Sequence, residues 1–133
     1  MRKILILATA VIGLSLSSCS KAPEDVLPKK DGKWNFTGNY TETEDGVIDE
    51  SANFTGMITF NDDNTYTSTY TADTVYTDNG KWTANNNAVT LTTFLDYGAI
   101  TFLITDLEKK SETWTYTLND GNNMESITLK LTK

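Results

Sequence analysis

From residue 33 onward, apolar and polar positions alternate with a period of two, the pattern of antiparallel strands that bury one face. Trp34, Phe36, Gly38 and Tyr40 share one face of a first strand, and Ala52, Phe54, Gly56, Ile58 and Phe60 share one face of a second. Tyr66, Ser68, Tyr70 and Ala72 follow, with Thr65, Thr67, Thr69 and Thr71 on the opposite face. Short segments around Lys81-Trp82-Thr83 and Val89-Thr90-Leu91 predict a fourth and a fifth strand. Ile100, Phe102 and Ile104 mark a sixth, Trp114, Tyr116 and Leu118 a seventh, and Ile127, Leu129 and Leu131 an eighth. Threonine suits the outward positions because a β-branched side chain with a hydroxyl packs on a solvated strand face. No ten-residue stretch beyond residue 32 carries a helical period.

Turn-forming residues separate these runs. Asp62-Asp63-Asn64, Asp78-Asn79-Gly80, Asn85-Asn86-Asn87 and Asp120-Gly121-Asn122 tolerate left-handed or turn backbone. The reading is all-β, a single antiparallel up-and-down barrel of about eight strands, because hairpin-linked strands with one apolar face bury it by closing on themselves. A two-sheet β-sandwich is the alternative. In either arrangement the connections alternate between two ends. One end, called the base, collects residues 29–33, 61–64, 85–87 and 106–111 with the C-terminus. The other, called the mouth, collects 42–51, 73–80, 94–99 and 119–124.

The N-terminus carries a different pattern. Arg2 and Lys3 precede the apolar stretch Ile4 to Leu16, and Leu16-Ser17-Ser18-Cys19 closes it. That is the form of a bacterial lipobox, and the apolar stretch is too short for a mature transmembrane helix. The expected organisation is a lipoprotein signal peptide over 1–18, an acylated Cys19 and flexible tether over 19–31, and one β-barrel domain over 32–133. Acyl chains on Cys19 would hold the protein to its membrane, since two or more chains anchor stably where one is marginal. Ser20 follows the cysteine, not the Asp of inner-membrane retention. The expected place is therefore the outer membrane of a Gram-negative cell envelope, with the side it faces left open.

Charge and composition narrow the chemistry. The formal charge is −7, and without Arg2 and Lys3 it is −9. This excess of acid argues against nucleic acid, whose affinity depends on Lys and Arg at phosphates. Cys19 is the only cysteine and there is no histidine. The sequence therefore lacks a second thiol, the usual zinc ligands and every Ser-His or Cys-His arrangement. Asp45, Asp49 and Glu50 match no EF-hand spacing. The expectation is a protein that is not an enzyme and has no cofactor and no metal.

Gly32-Lys33-Trp34, repeated as Gly80-Lys81-Trp82, resembles the Gly-x-Trp signature that opens a lipocalin barrel. Phe60-Asn61-Asp62-Asp63-Asn64-Thr65-Tyr66 leading to Gly80-Lys81-Trp82-Thr83 resembles the small lipocalin-like domains of Bacteroidetes lipoproteins. The resemblance covers roughly residues 32–133 and implies a ligand-binding barrel. The chain departs from it by being short and by lacking the arginine that packs on the first-strand tryptophan, since Arg2 is its only arginine.

An eight-stranded barrel either fills with side chains or holds one small ligand. Bulky inward residues gather toward the base, whereas Gly38, Ala52, Gly56 and Ala72, with Ser68 near the middle, share the inward face toward the mouth. Candidate ligand-binding residues are therefore Gly38, Tyr40, Ala52, Gly56, Ser68, Tyr70, Ala72 and Tyr97, the tyrosines supplying amphipathic walls. Acids at the mouth and lysines near the tether favour a small hydrophobic or neutral, or cationic, ligand over an anion. A filled core remains the other reading, and with it a protein-interaction module that presents acidic loops or a sheet edge. Asp73-Thr74-Val75 resembles a bacterial O-glycosylation site and marks Thr74 for modification.

Overall fold

The computed structural model describes residues 22–93, 98–108 and 110–133. Cys19 and Tyr97 lie outside the described residues. Eight strands follow one short helix: α1 (Pro23–Val26), β1 (Lys33–Glu44), β2 (Val47–Phe60), β3 (Thr65–Thr71), β4 (Val75–Asn85), β5 (Ala88–Thr93), β6 (Ala99–Leu107), β7 (Ser111–Asp120) and β8 (Asn123–Thr132). Each strand pairs with its neighbours in sequence and β1 also pairs with β8, giving a closed barrel in the order β1 to β8. The topology is an antiparallel up-and-down, lipocalin-like barrel; the sandwich alternative is excluded.

Alternation drives this arrangement. Along the first half of β1 the even positions are buried and the odd ones exposed, so Trp34 and Phe36 enter the barrel between Lys33, Asn35 and Thr37. Above the base, rings interlock: Phe60 lies 5.4 Å from Trp82 and 5.8 Å from Trp114, whose ring is 5.8 Å from Phe102. Such tilted and edge-on pairs add to the burial of their large apolar surfaces.

Both Gly-x-Trp segments do the same structural work. At Gly32, where φ is +65°, a Cβ would collide with the Phe60 carbonyl, and at Gly80 it would collide with that of Thr92. The tryptophans two residues later each donate Nε1–H to a base carbonyl, Trp34 to Leu27 (3.0 Å) and Trp82 to Asn61 (3.2 Å).

The base is closed by a segment that the sequence reads as tether. Pro23, Val26 and Leu27 are buried, and Leu27 has no exposed surface. The stopper was illegible because four helical residues are too few to display a period. Lys133 completes it: Nζ donates to the Lys29 carbonyl and sits 4.8 Å from the Trp34 ring centroid.

Two expected connections at the mouth are strand instead. β1 and β2 run on to a two-residue turn at Asp45-Gly46, both with positive φ (50° and 79°), the geometry that matches strand twist in tight hairpins. β2 meets β3 only from Thr55 onward, so residues 47–54 pair with β1 alone, and 47–51 are exposed throughout and have no apolar period to read. Asp78-Asn79-Gly80 is no turn either; it lies within β4, opposite Ser68, Thr67 and Tyr66. β6 and β7 pair only over Leu103–Leu107 and Glu112–Thr115, so these two strands part toward the mouth.

Candidate functional site

Above the aromatic base the barrel holds a cavity of about 330 Å³ that opens toward the mouth. Its size is at the lower end of small-molecule sites. The floor and walls are apolar, formed by Phe36, Ile58, Leu91, Ile100, Phe102, Trp114, Ile127, Leu129 and Leu131. Phe54, Tyr40 and Tyr70 line its upper part. Phe54 packs against Tyr70 (5.8 Å), which stacks on Tyr76 at 5.2 Å and 18°. An aromatic ladder thus runs from the cavity wall to the rim.

One wall is polar. Tyr66, Ser68, Asp78 and Thr93 all line the cavity. Ser68 on β3 faces Asp78 on β4 across the ladder. Tyr66 donates its hydroxyl to Asp78 Oδ2 at 2.6 Å, and the Asn79 N–H donates to Oδ1 at 2.8 Å. Ser68 is only 8% exposed, and its hydroxyl makes no hydrogen bond to any described residue. Its hydroxyl is therefore open to whatever occupies the cavity, and it can donate or accept.

The phenols here are firm proton donors. Burial, the Glu42 hydrogen bond and the charges of Glu125, Glu42 and Glu50 push the Tyr40 hydroxyl up to about 12. Burial and the Asp78 carboxylate likewise raise Tyr66 and Tyr70 above the ordinary tyrosine value. Their shifts also report the field: carboxylates surround the upper cavity. Among the described residues every lysine (Lys29, Lys30, Lys33, Lys81, Lys110, Lys130 and Lys133) belongs to the base half, whereas the hairpins at the mouth carry only acids. No group of three or more acids that could hold a metal occurs among the described residues.

Of the residues singled out from the sequence, Tyr40, Ser68 and Tyr70 line the cavity. Gly38 and Gly56 do not. A Cβ on Gly38 would strike the Phe54 ring, and one on Gly56 would meet Tyr70 Cβ and Phe36 Cζ at 2.6 and 2.7 Å. The room these glycines leave is filled by aromatic rings from neighbouring positions. Ala52 is half-buried beside Tyr40 without lining the cavity, and Ala72 is exposed beyond the end of β3. Thr74 is exposed in the β3–β4 turn at the mouth. Sequence reasoning missed Asp78, Tyr66 and Phe54. Asp78 shares its parity with Gly80 and Trp82, which puts it inside, but the Asp-Asn-Gly string obscured that signal.

Neither protein-family models nor curated proteins give a match to this chain.

Proposed function

We propose that this protein is an envelope lipoprotein whose barrel binds a small, non-anionic ligand at the membrane-distal mouth. The observation that carries the reading is the cavity itself: a closed aromatic base, an opening at the other end and a wall on which the largely buried Ser68 stands opposite Asp78. Acylation at Cys19 would tether the base end to a membrane and turn the mouth away from it, since the described chain enters the barrel at the base. The lipobox residues favour the outer membrane, and the resemblance of the Gly-x-Trp segments supports a kinship with lipocalin-like lipoproteins. The phenols are held protonated and no histidine is present, so the site is read as a binder and not as an enzyme.

Native mass spectrometry of the full acylated protein, released in mild detergent from a Gram-negative host, tests both parts. Acyl mass on Cys19, lost in Cys19→Ala, together with a discrete small-molecule adduct lost on denaturation, is the expected result. A bare barrel after exposure to lipid and glycan pools would overturn ligand binding.

A second reading draws on the far hairpins. Val47 and Ile48 are 69% and 63% exposed at the β1–β2 tip, beside a β2 edge that pairs with β1 alone. An open, apolar edge of this kind can accept a strand from another protein. Crosslinking from residues 42–51 to a discrete envelope protein, with an empty cavity, would favour an interaction module.

A further inference from the structure

We propose that the polar wall formed by Ser68 and Asp78 is a head-group site for an organic ammonium ion, and that the ligand of this barrel is a small protonated amine with an apolar body. The inference rests on the cavity being a binding site and names the class of molecule it takes.

Three independent observations converge. First, Ser68 is more than nine-tenths buried, lines the cavity and has no hydrogen-bond partner among the described residues. A ligand N–H supplies the missing partner. Second, Asp78 is the one charged residue among the described residues lining the cavity, and it stands opposite Ser68. The Tyr66 hydroxyl and the Asn79 N–H hold its carboxyl in place through one bond to each oxygen. Two oxygens together offer about four acceptor positions, so capacity remains for a ligand donor. The wall therefore presents a carboxylate, which only accepts, beside a hydroxyl that can accept as well as donate; the carboxylate suits N–H groups and repels a ligand carboxylate or phosphate.

Third, the surroundings favour positive charge. The Phe54 and Tyr70 rings line the same cavity as the polar wall, and aromatic rings attract ammonium groups. Glu42, Glu50 and Glu125 lie close enough to Tyr40 at the mouth for their charges to act on its hydroxyl. Carboxylates around a cleft with apolar walls concentrate cations at its entrance. The volume of about 330 Å³ equals roughly ten water molecules at about 30 Å³ each, room for a body of roughly eight to ten heavy atoms. A neutral alcohol of the same shape would use Ser68 and Asp78 as hydrogen-bond partners but would gain nothing from the field.

The test is to titrate the full acylated protein in lipid nanodiscs with three water-soluble probes of matched shape: 2-phenylethylamine, 2-phenylethanol and 3-phenylpropanoate. Calorimetry should show the ammonium probe binding at least tenfold more tightly than the alcohol, with the carboxylate weakest. Raising the salt from 50 to 500 mM should weaken the ammonium probe severalfold and leave the alcohol unchanged, a comparison that needs no variant. Asp78→Asn should bring the ammonium probe to the level of the alcohol while alcohol binding, the control for an intact cavity, persists. If the alcohol or the carboxylate binds as tightly as the amine, the head-group assignment is overturned and the cavity reading stands. If none of the three is taken up, both fail.

Discussion

The Lys133 ammonium lies 4.8 Å from the centroid of the Trp34 ring. It also donates to the Lys29 carbonyl, so it pins the segment that closes the base to the tryptophan of the first Gly-x-Trp segment. A lysine remote in sequence thus stands over the first-strand tryptophan. Lys133→Ala should lower stability by about 1–2 kcal/mol, the range for a partly desolvated cation over an indole with an added hydrogen bond. Lys133→Arg should retain most of it. Urea unfolding of the two variants beside the parent checks this; equal losses for Ala and Arg would mean that a cation over the ring is not what stabilises the base.

Glu112 introduces a pH dependence. It is buried at 2% exposure, accepts from Trp114 Nε1 at 2.7 Å through Oε2, and leaves Oε1 without a partner. Burial raises its carboxyl to about 7, against the lowering effects of the Trp114 hydrogen bond and the Lys133 charge. The folded state therefore holds a proton that the unfolded chain, titrating near 4.5, has released. The contribution of Glu112 is full below about pH 4.5 and is lost as the pH rises through about 7, by on the order of 3 kcal/mol in all. Glu112→Gln should flatten that slope and raise the melting temperature at pH 8 by on the order of 10 °C. Thermal melts of both proteins from pH 4 to 8 decide it, and parallel profiles would refute the assignment.

Leu27 tests whether the stopper belongs to the folded domain. With no exposed surface, its truncation in Leu27→Ala should cost about 2–5 kcal/mol, the range for a large side chain removed from a core. A freely moving tether would make the same substitution silent. Chemical denaturation gives the answer directly.

Gly38 and Phe54 should prove energetically coupled. A Cβ at 38 strikes the ring that lies over it, so Gly38→Ala should destabilise by about 1–3 kcal/mol, as overpacking does. In a Phe54→Ala background the same change should be nearly neutral. The difference, read from a double-mutant cycle of unfolding free energies, measures the contact; additive effects would place the ring elsewhere in solution.

How legible this protein was in its sequence depended on where a residue sits along the barrel axis. Near the base, Trp34, Phe60, Tyr66, Trp82 and Trp114 alternate with polar neighbours because one face is buried and the other wet. That contrast is written in residue type, so strand number, order and the end that closes could be read directly. Toward the mouth both faces of β1 and β2 meet solvent, the contrast vanishes, and strand was mistaken for connection.

The sequence by itself determined the all-β class, the alternation, the acid-rich mouth and the chemistry excluded by having one cysteine and no histidine. These follow from composition and from a period of two, which are local properties. Only the tertiary structure decided what fills the space inside. Gly38 and Gly56 promised a cavity, yet Phe54, Phe36 and Tyr70 occupy the room beside them, since a ring reaches across to neighbouring strands. The cavity lies instead against Ser68 and Asp78, ten residues apart in the chain and opposite one another across β3 and β4. Cross-strand register placed them there, and the turn at 72–74 that fixes this register was less plain in the sequence than the Asp78-Asn79-Gly80 string beyond it.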